Sequence, residues 1–220
     1  MNSIIERVNT VCQSVRSTNS EPISFKKLVG QLRKTFKDHD LDLMIKTKKD
    51  KTLETGGFYV MAYYDPEDDF NHDTPIEVIA YHNFPDTDYF SKVQITEFLI
   101  QIFDAVVHEF RHRHQSIKRE YITYSAHESS PYKEYLSDPD EVDAYALSIA
   151  IELLRHIDPY RAKKNLTRIS IMSKMRRGTE FVSPNLRAYI DHFGLSDLTK
   201  RIAKKVYKHL GTLDKQHIFM

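Results

Sequence analysis

Apolar residues near the N-terminus recur at steps of three and four, which predicts a helix over residues 2–17. A polar break at residues 17–22 ends this helix, and Ser24 is a typical N-cap for a second one. Residues 1–38 are therefore predicted to form a pair of N-terminal helices, each with one apolar face directed towards a core.

The period then changes from three or four residues to two. Alternation over residues 41–46 predicts a half-buried strand. Residues 57–64 are rich in aromatic and β-branched side chains and predict a second strand. Pro75 stands where proline is tolerated, at the start of a third strand over residues 76–82. The polar segments between them are predicted to form a turn and an acidic loop, at residues 48–51 and 65–73.

Helical spacing returns from Ser91 to Lys118, where apolar side chains between Phe98 and Phe110 form one stripe. Four further helices are predicted from residues that typically cap or open a helix. Their N-cap residues are Asp138, Asp158, Ser183 and Ser196; the second helix is predicted to end near residue 175, the third at Gly194 and the fourth at Gly211.

These elements predict an α+β fold: a small three-stranded sheet packed on the helix of residues 91–118, followed by a C-terminal helical bundle. The sheet and its helix occupy residues 40–118, and the helical part occupies residues 138–210. A length of 220 residues with 40% hydrophobic and 29% charged residues is typical of one soluble globular domain, predicted here to span 1–220.

The predicted helix carries the motif His108-Glu109-Phe110-Arg111-His112. Residues four apart on a helix have Cβ atoms roughly 5–6 Å apart, so both imidazoles can approach one metal ion. Zinc accepts imidazole ligands, and a catalytic zinc site leaves one position open for water. The alternative is a helix with two unrelated surface histidines, and the uninterrupted apolar stripe beside the motif favours the metal site.

Two histidines and a water leave a tetrahedral zinc one protein ligand short. A third histidine in the metzincin pattern requires Gly at position 115 and His at position 118, but the chain has Gln115 and Lys118. His114 lies on a different helical face, and Cys12 is the only cysteine. The downstream helix offers Glu141.

With Glu141-Val142-Asp143-Ala144 downstream, the motif resembles the gluzincin branch of the zincin metallopeptidases. The size and helical tail also resemble metallopeptidase-like proteins of tailed bacteriophages. The resemblance implies a zincin-type core, a zinc ion bound by His108, His112 and Glu141, and Glu109 as the catalytic base. It covers roughly residues 40–150, with Asp140 and Asp143 departing from the family's usual flanking residues.

Helical geometry also favours Glu141 over the neighbouring carboxylates. Asp138 is better placed as an N-cap, and Asp140 lies in the first turn, where the helix dipole already favours a negative charge. Asp143 points about 200° away from Glu141. Glu141 lies on the same side as the apolar stripe of this helix, where a carboxylate is costly unless it is paired or binds metal.

The expected reaction is hydrolysis of a peptide bond, with Glu109 taking a proton from a zinc-activated water. Tyr145 (one turn after Glu141), Tyr135 and His127 are candidate oxyanion donors, which spacing does not separate, and the alternative for each is a packing or surface residue. Tyr145 is the one predicted as a catalytic residue. Asp104 and Asp143 are candidates to orient a ligand histidine, and for each the favoured alternative is a surface carboxylate. The end of the third strand, at residues 81–83, is expected to offer an edge to an extended peptide.

No apolar run approaches the roughly 20 residues that span a bilayer, and the N-terminus lacks signal-peptide features. The expectation is a cytoplasmic protein, in a host cell if phage-encoded, that acts on a peptide or protein without membrane contact. An alternative is a zinc-stabilised structural or adaptor protein of a phage particle, which would contact phage structural proteins and be packaged in the virion.

Charge is uneven along the chain although the formal net charge is only +1. Residues 65–97 are predominantly acidic, whereas residues 155–208 are predominantly basic. Nucleic-acid binding through the basic helices is expected to be unlikely, because no interleaved exposed aromatic residues or known motif is evident.

Overall fold

A computed structural model describes residues 1–19, 21–71, 76–85, 89–122, 132–169 and 183–220. The chain divides into two units, Met1–Thr123 with Phe219–Met220, and Tyr124–Ile218. The predicted single domain stays a prediction. Within the described residues, no helix is both long and apolar enough to cross a membrane.

The first unit combines helices with two small sheets. Its helices are α1 (Asn2–Thr18), α2 (Phe25–Asp38), α3 (Pro66–Phe70) and α4 (Lys92–Lys118). Its strands are β1 (Ile23–Ser24), β2 (Met44–Lys49), β3 (Phe58–Tyr64), β4 (Ile76–His82) and β5 (Tyr89–Phe90). The second unit contains α5 (Tyr132–Ser137), α6 (Pro139–His156), α7 (Pro159–Ile169), α8 (Pro184–Phe193), α9 (Asp197–His209) and a 3₁₀ turn at Lys215–His217. This composition confirms the predicted α+β class.

The larger sheet has the strand order β2-β4-β3, with β2 parallel and β3 antiparallel to β4. Two predictions about it are wrong. First, β2 starts at Met44 and continues to Lys49, because its pairing with β4 extends as far as Lys49 opposite His82. Second, β4 is the central strand, so its end offers no free edge; β2 and β3 are the edges.

Helix α4 provides the main packing surface of the first unit, and its predicted range is confirmed. Ser91 and Gln94 form a capping box at its start, which satisfies N–H groups that a helix end leaves unpaired. The apolar stripe of α4 is buried against α1 on one side and against β3 and β4 on the other. Phe98 of this stripe packs edge-to-face on Phe58 of β3, with ring centroids 5.7 Å apart.

Strand β3 runs beside α4 in the same direction. Near its start Phe58 contacts Phe98, and two residues later the backbone N–H of Val60 donates to the side-chain oxygen of Gln101 at 3.0 Å. This side chain satisfies a donor that an edge strand would otherwise present to solvent. The edge strand therefore follows the helix towards the segment that carries the motif.

The second unit is organised on α6. As predicted, Asp138 is its N-cap, and the carboxylate accepts from the N–H groups of Asp140 at 2.7 Å and Glu141 at 3.4 Å. Helices α8 and α9 pack on α6. Gly194 ends α8 with a positive φ of 60°, as its position in the sequence predicts. The predicted end of α7 near residue 175 lies outside the described residues.

The predicted acidic loop contains a helix instead. Asp65 caps α3 by accepting from the N–H groups of Glu67 and Asp68, and Pro66 occupies the first helical position. This turn buries Asp69, which accepts from Arg113 of α4 through Nη2 at 2.8 Å and from the Tyr64 hydroxyl at 3.0 Å. Burial, together with the hydrogen bond to Asp69, raises the pKa of Tyr64. The cluster joins α3 and β3 to α4 one residue beyond His112.

Arg113→Ala is expected to destabilise the protein by about 3 kcal/mol, because it leaves the carboxylate of Asp69, only 4% exposed, without its cation. Urea denaturation at neutral pH measures the change in free energy of unfolding. Lys118→Ala is the matched control, since it removes an exposed cation from the same helix. Equal stability of the two variants would contradict the structural role of the Asp69–Arg113 pair.

Candidate metal site

The two motif histidines converge on one point. Their Nε2 atoms lie 3.1 Å apart, and their rings are 4.9 Å apart between centroids. His108, His112 and Glu141 each offer one ligand atom, and these three atoms all lie within 4.8 Å of one another. All three residues are half-buried. This group is one that could hold a metal ion.

The spacing of the histidine nitrogens agrees with the requirements of a zinc ion. Two nitrogens bound at about 2.0–2.1 Å in a tetrahedral arrangement lie about 3.3 Å apart. The observed separation of 3.1 Å is close to this value without any change of the backbone. Two imidazoles and one carboxylate are also a ligand set used by catalytic zinc sites, which leave a further position for water.

Glu109 follows His108 directly on α4, so its side chain is displaced by about 100° around the helix axis. It is half-buried, as are both histidines, whereas Phe110 on the next position is buried in the core. Glu109 therefore lies on the border between the polar and apolar stripes of α4, beside the histidines and outside the group of ligand atoms. Its predicted role as the catalytic base stays a prediction.

Neighbouring carboxylates on α6 have other partners. Asp138 caps the helix, as described above. Asp143 accepts from Lys205 of α9 at 2.8 Å and lies 3.6 Å from Nε2 of His209. Glu141 is the carboxylate of this segment that joins the two histidines in the group of ligand atoms. The separation of Glu141 and Asp143 around the helix axis is the physical reason for their different partners.

The other predicted site residues are the candidate oxyanion donors and the carboxylate Asp104. Tyr145 follows Glu141 by one turn, and its ring packs edge-to-face on Tyr189 with centroids 5.6 Å apart. Tyr135 is half-buried in α5, and Asp104 is half-buried one turn before His108. Their predicted roles remain predictions. His127 lies outside the described residues.

The Asp69–Arg113–Tyr64 cluster was not predicted from the sequence. Asp69 stands in an acidic run, and such runs are usually solvated, so nothing local distinguishes it from Asp68. The sequence Asp65-Pro66 was the available signal, because it combines a favourable N-cap with proline at the first helical position. A helix there would have placed one of the following carboxylates on an inward face.

Comparisons of this chain with protein-family models, with curated proteins and with solved structures found no match.

Proposed function

We propose that this protein is a zinc-dependent metallopeptidase of the gluzincin type. The observation that carries the proposal is the convergence of His108 and His112, with Nε2 atoms 3.1 Å apart, on a group of ligand atoms that includes Glu141. The three residues would hold the zinc ion. When bound, zinc lowers the pKa of a coordinated water to about 7 and polarises the substrate carbonyl.

Glu109 acts as the general base in this proposal. Its carboxylate accepts a proton from the attacking water and then delivers it to the leaving amine, so that one group serves both halves of the reaction. Half-burial on α4 leaves it reachable while limiting its freedom of movement. Tyr145 is proposed as a hydrogen-bond donor to the oxyanion, because it follows the ligand Glu141 by one helical turn.

A peptide or protein is the proposed substrate. Strand β3 is an edge of the sheet and runs along α4, so an extended peptide that paired with β3 would follow the same helix. The hydrogen bond from Val60 to Gln101 occupies one N–H of this strand. Pairing is therefore expected towards the later residues of β3, on the side of the strand that leads to Tyr64.

One zinc ion per chain is expected, and His112→Ala should lose both the metal and part of the stability, since metal binding to the native site adds to folding. His114→Ala is the matched control: it removes a histidine two residues away that is outside the group of ligand atoms. Elemental analysis and zinc titration measure the content. Protein that neither contains nor takes up zinc would remove the proposed function.

Glu109→Gln should retain zinc and the folded structure yet reduce peptide hydrolysis by about 100-fold or more, because the amide cannot accept the proton. Glu97→Gln, an exposed position on the same helix, is the control and should retain activity. Turnover is measured on a mixture of unfolded protein substrates by mass spectrometry. A zinc-stabilised adaptor of a phage particle would need the histidines but not Glu109, so any function unaffected by Glu109→Gln would favour that alternative.

Glu141→Ala should weaken zinc binding at least tenfold, whereas Asp143→Ala should retain the zinc affinity. The reason is that Asp143 is engaged by Lys205 and His209, and its loss is expected to lower the stability instead. Competition with a zinc-sensitive chelator measures the affinity, and thermal denaturation of the zinc-free proteins measures the stability. The reverse pattern would assign the third ligand to Asp143.

A further inference from the structure

Helix α9 has a basic outward stripe that contains an aromatic residue. Lys200, Lys204 and Lys208 repeat at four-residue intervals, so they share one face of the helix and are spaced by about 6 Å along its axis. All three are exposed. Tyr207 lies beside them and is 47% exposed. The opposite face, with Ile202 and Val206, is buried within the second unit.

Helix α7 extends this surface. It packs against α9, and the Nζ atom of Lys163 lies 5.1 Å from the centroid of the Tyr207 ring. A cation at this distance from an aromatic ring is favourable and brings positive charge next to it. Tyr160, at the start of α7, is 74% exposed, and Arg161 and Lys164 are exposed nearby in the sequence.

Positive charge dominates the two helices. This holds for two ranges, Pro159–Leu166 of α7 and Asp197–His209 of α9. Together they contain a single acidic residue, Asp197, which pairs with Lys200 at 2.9 Å. The cations of the same residues are Arg161, Lys163, Lys164, Lys200, Arg201, Lys204, Lys205 and Lys208. Lys205 is engaged by Asp143, and Arg161 lies 3.3 Å from Asp158, which precedes α7. Cations therefore outnumber acidic residues within these two ranges of α7 and α9.

We propose that this basic surface, formed by α7 and α9, binds single-stranded nucleic acid. Lysine and arginine side chains would contact the phosphates, and the exposed rings of Tyr160 and Tyr207 would stack on bases. In the folded protein, exposed aromatic residues are interleaved with the cations. The apparent lack of such residues in the sequence was a reason for not expecting nucleic-acid binding. The surface is separate in chemistry from the metal site and uses none of its residues.

Two other anionic partners fit the surface less well. A membrane-binding helix inserts its apolar face among the lipids, but the apolar face of α9 is buried within the unit. A DNA duplex offers phosphates but keeps its bases stacked inside, so Tyr160 and Tyr207 would gain little from it. A single strand provides both the phosphates and the accessible base faces.

The test is fluorescence anisotropy of a labelled oligothymidine with the full-length protein over a series of salt concentrations. The affinity is expected to fall as salt rises, and Lys204→Ala/Lys208→Ala should reduce the steepness of the plot of log K against log salt by about 1.4, since each phosphate contact contributes about 0.7. Lys27→Ala/Lys34→Ala, the matched control on the exposed face of α2, should leave affinity and slope unchanged.

Tyr207→Ala should weaken binding about fivefold or more, whereas Tyr207→Phe, which keeps the ring, should bind nearly as well as the parent protein. Tyr160→Ala provides a second test at a residue with little buried surface, so that its folding is preserved. Circular dichroism establishes that each variant is folded. Treatment with a zinc chelator, at a concentration that leaves the protein folded, should not change the affinity.

Several outcomes would overturn the proposal. These are the absence of salt-dependent binding, an equal loss in the α2 control, unchanged binding after both tyrosine-to-alanine substitutions, or binding to phosphatidylserine vesicles without binding to the oligonucleotide. These measurements need no hydrolysis, so a negative result would not contradict the proposed peptidase activity. Conversely, protein without zinc would not contradict the proposed binding of nucleic acid.

Discussion

The structure of the first unit depends on the 3.6-residue period of α4. This helix of 27 residues is about 40 Å long, and it must fill the space between α1 and the sheet while it presents polar side chains on another face. The same period that aligns its apolar stripe also places His108 and His112 one above the other. Any change that rotated the apolar stripe would therefore rotate the two imidazoles with it.

Contacts near both ends fix this rotation. At the N-terminal end, the capping box of Ser91 and Gln94 sets where the helix begins. Beyond the motif, the buried carboxylate of Asp69 engages Arg113, one residue after His112. Because packed interiors tolerate little displacement, a helix held at these points keeps its ring nitrogens aligned before a ligand arrives. Such preorganisation would lower the entropic cost of binding a metal ion there.

Elements with strong local signals could be predicted from the sequence, and those that depend on distant partners could not. The range of α4 follows from its period and caps, and the start of α6 follows from Asp138 and Pro139. The end of β2 depends on its pairing with β4, which lies some 30 residues later and has no local signature. Strands β1 and β5 are only two residues long, too short to show any period. The motif histidines were predictable because one helix contains both, and helical geometry also distinguished Glu141 from Asp143. The partner of Asp143 was not predictable, because Lys205 lies 62 residues later in the sequence.

The distribution of acidic residues explains how a nearly neutral chain acquires a basic surface. Several carboxylates have local structural tasks: Asp65 and Asp138 cap helices, Asp69 is enclosed with Arg113, and Asp143 lies against α9. Another, Glu152, is buried in α6 and accepts from the hydroxyl of Ser183 and from the side-chain amide of Asn185 at 2.7 Å. Carboxylates held in this way balance a buried cation or accept hydrogen bonds inside the fold and at helix starts. A negative charge at the start of a helix is favourable because of the helix dipole.

Lysines cannot serve these positions at helix starts, because an ammonium group donates hydrogen bonds and the free N–H groups there need an acceptor. Their long side chains instead extend from the outward faces of helices, as on α9. The charges that sum to +1 over the whole sequence are thus unevenly distributed: Asp69 and Glu152 are buried, and most cations of α7 and α9 are exposed. The long-range field at that surface is consequently set by the lysines rather than by the net charge of the chain.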